Sequence, residues 1–408
     1  MYRLRRDALS TTDPQHPLLA YRSRPREDEL LLSWMTRLAR GNAVKLQCFA
    51  TDILGFSPQL LCHDLDRVPD DVLLGRLVRR VGCTYEQASS TGMWAYQGLL
   101  WFQAPNQRGP VDWLMPLGRS CHDRRRVSSY TTQMCCACLA SDSVPYFRRY
   151  WRLALAVVCP IHGIYLRDCC PWCHGPIEYY STDFGCRLLP AEEPMMHCGK
   201  CGHDWVHEPW EELAAPEGLV LFQRQLCQML ADGWSSELPG AEGYSPVFFA
   251  GLKRLLQDLN QSGRCQRLRE YFALRDEELL MEPAGNAPRF ECLRVGDRAR
   301  LMGQAQELLE DWPDHFTHIV QASRVSSSYL IDYCHWVPYW LHAPLRTTLF
   351  DQDYAPSDEE RTAAKNYLLR HGGSGSADEV NGLLGVSSVL HKSTQRDRWN
   401  PRVPRGRA

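Results

Sequence analysis

Four absences narrow what this chain of 408 residues can be. It has no apolar run approaching the roughly 20 residues that span a bilayer, so no membrane-crossing helix is expected. Its N-terminus reads Met1-Tyr2-Arg3-Leu4-Arg5-Arg6 rather than an apolar signal segment, and a reducing cytoplasm is the expected compartment. It has almost no net charge: 46 Lys and Arg against 48 Asp and Glu leave −2, so nucleic-acid binding would have to come from local patches. It also lacks a GxxxxGKS phosphate loop, a GxGxxG turn after a strand, a GxSxG elbow, an HExxH helix and any gathered acidic cluster of the transposase type. Together these favour a non-catalytic protein.

What is abundant is cysteine, and its distribution is uneven. Of 18 cysteines, ten fall between Cys135 and Cys201, in four half-sites of metal-ligand spacing. They are Cys135-Cys136-Ala137-Cys138, Cys159-Pro160-Ile161-His162, Cys170-Pro171-Trp172-Cys173 and Cys198-Gly199-Lys200-Cys201. Two residues between ligands let a tight turn aim both side chains at one tetrahedral ion, and four half-sites make two sites. Two structural zinc ions are therefore expected.

Sequential pairing, preferred because it closes shorter loops, gives one site from Cys135, Cys138, Cys159 and His162, and another from Cys170, Cys173, Cys198 and Cys201. A cross-braced alternative joins the first half-site to the third and the second to the fourth. Cys136, Cys169 and Cys186 stand outside the pattern, and either adjacent thiol, Cys136 or Cys169, could replace its neighbour. His174, His197, His203 and His207 flank the second site as further alternatives. Four protein ligands per ion would leave no position for water or substrate.

The expected fold is mainly α with small zinc-knuckle β elements. An extended Arg- and Pro-rich lead-in (1–26) precedes an N-terminal helical, helix-turn-helix-like domain (27–130), a tandem zinc module (131–210), a helical domain (211–371) and a C-terminal helix-turn-helix-like segment with a basic tail (372–408). Glu27-Asp28-Glu29 reads as the acidic first turn of a helix carrying Leu31, Trp34, Met35 and Leu38, stopped at Gly41-Asn42, with a second helix over 43–54. Helices are also predicted over 70–80, over 84–90 with a Thr84 cap and Gln87 three residues on, and from a Ser357 capping box to Arg370. Apolar stripes at Leu219, Phe222, Leu226, Met229 and Leu230, and at Phe248, Leu252, Leu255, Leu256 and Leu259, read as core.

Two segments are candidate DNA contacts. Arg124, Arg125 and Arg126 close a basic run just before the first half-site. Near the C-terminus, 377–392 follow the helix-turn-helix layout, with Ser387, Ser388, His391 and Lys392 on the groove-facing helix and Arg396 and Arg398 beyond it.

The order of motifs resembles the TniQ/TnsD family of transposon target-selection proteins. The carrying residues are Cys135-Cys136-Ala137-Cys138-Leu139, Tyr146-Phe147-Arg148, Trp151-Arg152-Leu153, Cys159-Pro160-Ile161-His162-Gly163-Ile164-Tyr165-Leu166 and Cys170-Pro171-Trp172-Cys173, with the opening segment 28–39. Cys136 stands where the family has Pro, Cys169 precedes the CPxC, and His174 replaces a Gly after it. The resemblance, to the short TniQ form, implies a bacterial, cytoplasmic protein, nucleoid-associated when active, that binds no membrane. It would recognise or mark target DNA, directly or through a complex such as a nuclease-deficient CRISPR effector. It would then recruit an AAA+ ATPase regulator and, through it, the transposase; a homodimer is compatible with this. The alternatives are a zinc-containing transcription regulator and an enzyme with catalytic zinc.

Overall fold

A computed structural model describes residues 17–106, 109–116, 132–207, 209, 213–238, 244–260, 266–273, 288–325, 337–349, 356–384 and 386. Among them the chain is mostly helical, and β structure is confined to isolated bridges with no sheet. Two compact units emerge. The first comprises 1–97, 103–227 and 284–306, the second 98–102, 228–283 and 307–408.

In the first unit, α1 (Leu31–Gly41) buries Leu31, Leu32, Trp34, Met35, Leu38 and Ala39. It starts later than the sequence predicts. Asp28 takes a left-handed backbone (φ 55°) and Glu29 bridges to Arg148, so the acids precede the helix instead of forming its first turn. Each acid has a stronger partner: buried Glu29 accepts from Arg37 at 2.7 and 2.9 Å, and Asp28 pairs with Arg149 at 3.0 Å. The amides that Glu27 and Asp28 leave uncapped are taken from outside, Leu32 N donating to Asp66 Oδ1 and Leu31 N to the Thr91 carbonyl.

The predicted second helix starts later than 43. Ala43 is left-handed (φ 57°), and the helix begins as one α turn, α2 (Leu46–Cys48), where the Leu46 amide meets the Asp183 carboxylate, and passes directly into a π turn (Phe49–Ile53). By contrast, α3 (Asp71–Val81) starts on an Asp70 cap and ends on left-handed Gly82, and α4 (Tyr85–Ser89) has the complete Thr84–Gln87 capping box.

The centre of this unit is a fully buried run, Leu153 to Val158, with a turn at Ala154–Leu155. Buried peptide groups must find partners; the Ala154 amide meets the Trp113 carbonyl and the Ala156 amide the Leu153 carbonyl, and side chains take most of the others. Gln133 Nε2 donates to the carbonyls of Leu153 (3.0 Å) and Ala156 (2.6 Å). Arg298, 144 residues on from Ala154 in sequence, donates to the carbonyls of Ala154 (2.7 Å) and Ala156 (3.3 Å) and to Gln133 Oε1 (3.0 Å). Gln223 Oε1 accepts from the amides of Val157 and Val158 at 3.0 and 3.4 Å. Arg298 and Gln223 lie on α9 (Val295–Leu309) and α6 (Glu217–Asp232) respectively. The neighbouring Arg152 is held by Asp64 (2.8 Å) and Asp66 (3.3 Å), and burial pushes the Asp66 carboxyl up to about 6 despite that arginine.

The second unit is built from helices α7 (Ser245–Asn260), α8 (Gln266–Ala273), α10 (Asp314–Ala322), α11 (Tyr339–Leu349), α12 (Asp358–Arg370) and α13 (Ala377–Leu383). Trp340 stacks on Phe248 with ring centroids 5.6 Å apart and lies over Gly251, where a Cβ would come within 2.2 Å of its ring. Ser357 caps α12 through the Glu360 amide, but the Glu360 carboxylate accepts from the Tyr339 amide instead of returning to Ser357. α13 starts on a Ser376 cap and packs Val380 and Leu384 against Ala364. None of the described helices is long and apolar enough to cross a membrane.

Replacing Arg298 by Met would leave the Ala154 carbonyl without its donor and weaken two further contacts, all buried. We expect a loss of about 3 kcal/mol or more in unfolding free energy, read by urea denaturation, and a near-neutral result would contradict the role given to Arg298.

Candidate metal centres

The eight cysteine and histidine side chains of the sequence pattern gather into two groups of four, Cys135, Cys138, Cys159 and His162 in one and Cys170, Cys173, Cys198 and Cys201 in the other. Within each group the ligand atoms all lie within 4.8 Å of one another. The grouping is sequential, not interleaved.

Local backbone explains why these turns present their ligands together. Three of the four half-sites share one hydrogen-bond frame. In each, the first cysteine's carbonyl accepts from the amide four residues on, and its amide donates to the carbonyl five residues on. These contacts are Gly163 N to Cys159 O (2.9 Å) with Cys159 N to Ile164 O (2.8 Å); His174 N to Cys170 O (3.0 Å) with Cys170 N to Gly175 O (2.9 Å); and Gly202 N to Cys198 O (2.8 Å) with Cys198 N to His203 O (2.9 Å). The residue four on is left-handed each time, Gly163 at φ 66°, His174 at 53° and Gly202 at 73°. His174 therefore occupies a conformation that favours glycine and folds into it without losing the frame. The remaining half-site is built differently: Cys135 is the N-cap of α5 (Cys136–Ser141), and its Sγ accepts from the Cys138 amide at 3.4 Å.

The spacing of the ligand atoms fits a tetrahedral ion. Thiolate and imidazole bonds of about 2.3 and 2.0–2.1 Å place tetrahedral neighbours roughly 3.8 Å apart for S···S and 3.6 Å for S···N. In the first group Cys138 Sγ lies 3.6 Å from Cys159 Sγ, and His162 Nδ1 lies 3.6, 3.3 and 3.6 Å from the sulfurs of Cys135, Cys138 and Cys159. In the second, Cys170 to Cys201 and Cys173 to Cys198 are both 3.7 Å. Disulfides, with sulfurs about 2.05 Å apart, are excluded at these distances, and all seven cysteines of the two groups carry free thiols.

Electrostatics differs between the groups. The first is buried apart from half-buried His162, whereas in the second Cys201 is exposed and Cys173 half-buried. Without an ion the thiols share protons: the hydrogen bond with Cys138 pushes the Cys135 thiol far up, and hydrogen bonds from Cys135 and Cys138 pull the Cys159 thiol down. The Arg148 guanidinium, paired with Asp142 at 2.8 Å and lying over the Tyr146 and Trp151 rings, contributes positive charge beside Cys138. That charge suits a set of three thiolates around a divalent cation.

The open alternatives resolve by contact. Cys169 Sγ accepts from Arg294 Nη2 at 2.8 Å, and Cys170, not Cys169, joins the second group. Cys136 is buried in α5 outside the first group. His203 lies parallel to the Trp172 ring, His207 Nδ1 is 2.6 Å from Asp204 Oδ2, His197 Nε2 is 3.7 Å from the same oxygen, and His174 is exposed. The candidate DNA contacts Arg124, Arg125, Arg126, Ser387, Ser388, His391, Lys392, Arg396 and Arg398 lie outside the described residues. Sequence reasoning missed Gln133, Gln223 and Arg298, because a lone polar residue that caps a distant backbone leaves no spacing signal.

Among the described residues the chain is mainly helical without a sheet, and it carries two Cys/His groups that could each hold a metal ion. Residues 20–166 match the family model of TniQ, so this stretch of the chain is similar to a TniQ domain. The matched stretch takes in α1 to α5, the buried run and the whole first ligand set, and stops before the second set. A search of curated proteins found no match. The TniQ match points to a target-selection role in transposition.

If Cys170 supplies a ligand, Cys170→Ser should lower the bound metal by about one equivalent per chain and reduce solubility, while Cys169→Ser should keep both. Metal analysis of the purified variants decides it. Full metal content in Cys170→Ser would move the ligand role to Cys169 or a flanking histidine.

Proposed function

We propose that this chain is a target-selection adaptor for DNA transposition, with two structural zinc ions, that recognises or marks target DNA and recruits an AAA+ ATPase regulator and, through it, the transposase. The observation that carries the reading is the TniQ match over 20–166, with the first ligand set inside it. Zinc supports this role as a fold-holding ion. With four protein ligands at each group, Cys135, Cys138, Cys159 and His162 on one side and Cys170, Cys173, Cys198 and Cys201 on the other, neither ion keeps an open position for a reacting water.

The chain's own contribution is geometric. The first zinc would join α5 to the turn that ends the buried run, and the segment just before that run meets α1, the Phe147 amide donating to Ser33 Oγ. An ion there fixes the spacing of surfaces that partners would read. Target choice then follows from where this scaffold sits, and no bond is broken by it.

The test is capture of purified ATPase regulator by the tagged, zinc-loaded chain, with promoter activity measured in parallel. Specific ATPase capture without a transcriptional effect is the expected outcome. Altered promoter activity without ATPase binding would overturn the adaptor reading in favour of a transcription regulator.

A further inference from the structure

A cleft of about 480 Å³ in the first unit lies outside both metal centres, lined by Asp52, Ile53, Leu54, Gly55, Arg76, Arg79 and Arg80. The three arginines project from α3 at positions i, i+3 and i+4, which fall on one face of a helix. Two of them are anchored on the end of the π turn. Arg76 Nη1 donates to the carbonyls of Leu54 and Gly55, and its guanidinium stacks over the Phe56 ring at 4.4 Å. Arg80 donates to the carbonyls of Ile53 (2.7 and 3.3 Å) and Pro17 (2.9 Å).

Arg79 differs from its neighbours. Its Nε is buried without a hydrogen-bond partner, and among the described residues it makes no ion pair. The one carboxylate lining the cleft, Asp52, accepts from Thr51 Oγ1 at 2.7 Å. Three guanidinium groups therefore meet one carboxylate, and the cleft carries an excess of positive charge in a chain whose net charge is −2.

We propose that this cleft binds the phosphate backbone of duplex DNA, with Arg79 as the contacting residue and Arg76 and Arg80 as its fixed flanks. Guanidinium forks match phosphate oxygens in pairs, and arginines held by carbonyls lose little freedom on binding. An acidic protein segment is the poorer occupant. Protein partners anchor large apolar or aromatic side chains in pockets, and apart from its charged groups this cleft offers only Ile53, Leu54 and Gly55. Phosphate contacts fix position on the duplex and carry no sequence preference, so the cleft would hold DNA that is chosen by other means. The proposal rests on the target-adaptor reading but is tested separately from it.

The experiment measures binding of the full zinc-loaded chain to a fluorescein-labelled duplex of about 30 base pairs across a salt series, because each neutralised phosphate contributes about −0.9 to the slope of log K against log salt. Arg79→Gln should weaken binding to every sequence and make the slope shallower by about one, with metal content and melting temperature unchanged. Arg79→Lys, which keeps the charge, should retain the slope. Unchanged affinity and slope in Arg79→Gln, or no duplex binding by the wild-type chain, would overturn the proposal. So would loss of ATPase capture with duplex binding intact, since the cleft would then hold a protein. If wild-type and Arg79→Gln chains capture the ATPase equally and bind duplex equally, this site fails while the adaptor reading stands. If duplex binding responds as expected and no ATPase is captured, the reverse holds.

Discussion

A buried segment held by side chains and isolated backbone contacts, with no sheet, is the constraint on which the first unit depends. Leu153 to Val158 is enclosed; the Ala154 amide reaches the Trp113 carbonyl, the Ala156 amide turns back onto the Leu153 carbonyl, and no strand ladder takes the rest. An orphaned buried peptide group costs about 1–3 kcal/mol, so side chains must reach the groups that the backbone leaves over. Gln133, Gln223 and Arg298 do so from segments far apart in sequence. Burial pushes Arg298 down to about 10, still far above neutral pH, so it remains a cation bonded to carbonyl oxygens. The result is a run of backbone whose position is set from all sides.

That run ends at Cys159. On its N-terminal side, Phe147 and Arg149 exchange backbone hydrogen bonds with Leu30 and Asp28 at the start of α1, and Arg152 reaches Asp64 and Asp66. On its C-terminal side the knuckle from Cys159 to Ile164 turns the chain back so that Leu166 N meets the Val157 carbonyl at 2.9 Å. An ion in the first group would tie this knuckle to Cys135 and Cys138. Metal binding and backbone satisfaction would then support each other, because the ion would fix the turn that ends the run.

Much of the candidate site was legible in the sequence because metal ligation imposes spacing. Cys-x-x-Cys and Cys-x-x-His pairs are local, and loop-closure cost orders them sequentially, as the side chains are in fact grouped. Local capping was legible for the same reason: Thr84 and Ser357, read from the sequence, each accept from the backbone amide three residues on. What could not be read were choices decided at long range. Glu27, Asp28 and Glu29 look like a first helical turn until Arg37 and Arg149 claim two of them. Glu360 looks like half of a capping box until the Tyr339 amide takes its carboxylate. The second N-terminal helix starts at Leu46 rather than at 43 because Ala43 is left-handed, a backbone state that no apolar periodicity encodes.

The central claim is that both ligand sets are closed. X-ray absorption at the zinc edge of the purified chain tests it most directly, since it reports the number and type of donor atoms without requiring activity. Two equivalents of zinc, with an average shell of about 3.5 sulfurs and 0.5 nitrogen per ion at tetrahedral distances, is the predicted result. An additional oxygen donor, or an average of fewer than about three sulfurs, would mean an open coordination position and would contradict a purely structural role for the metal.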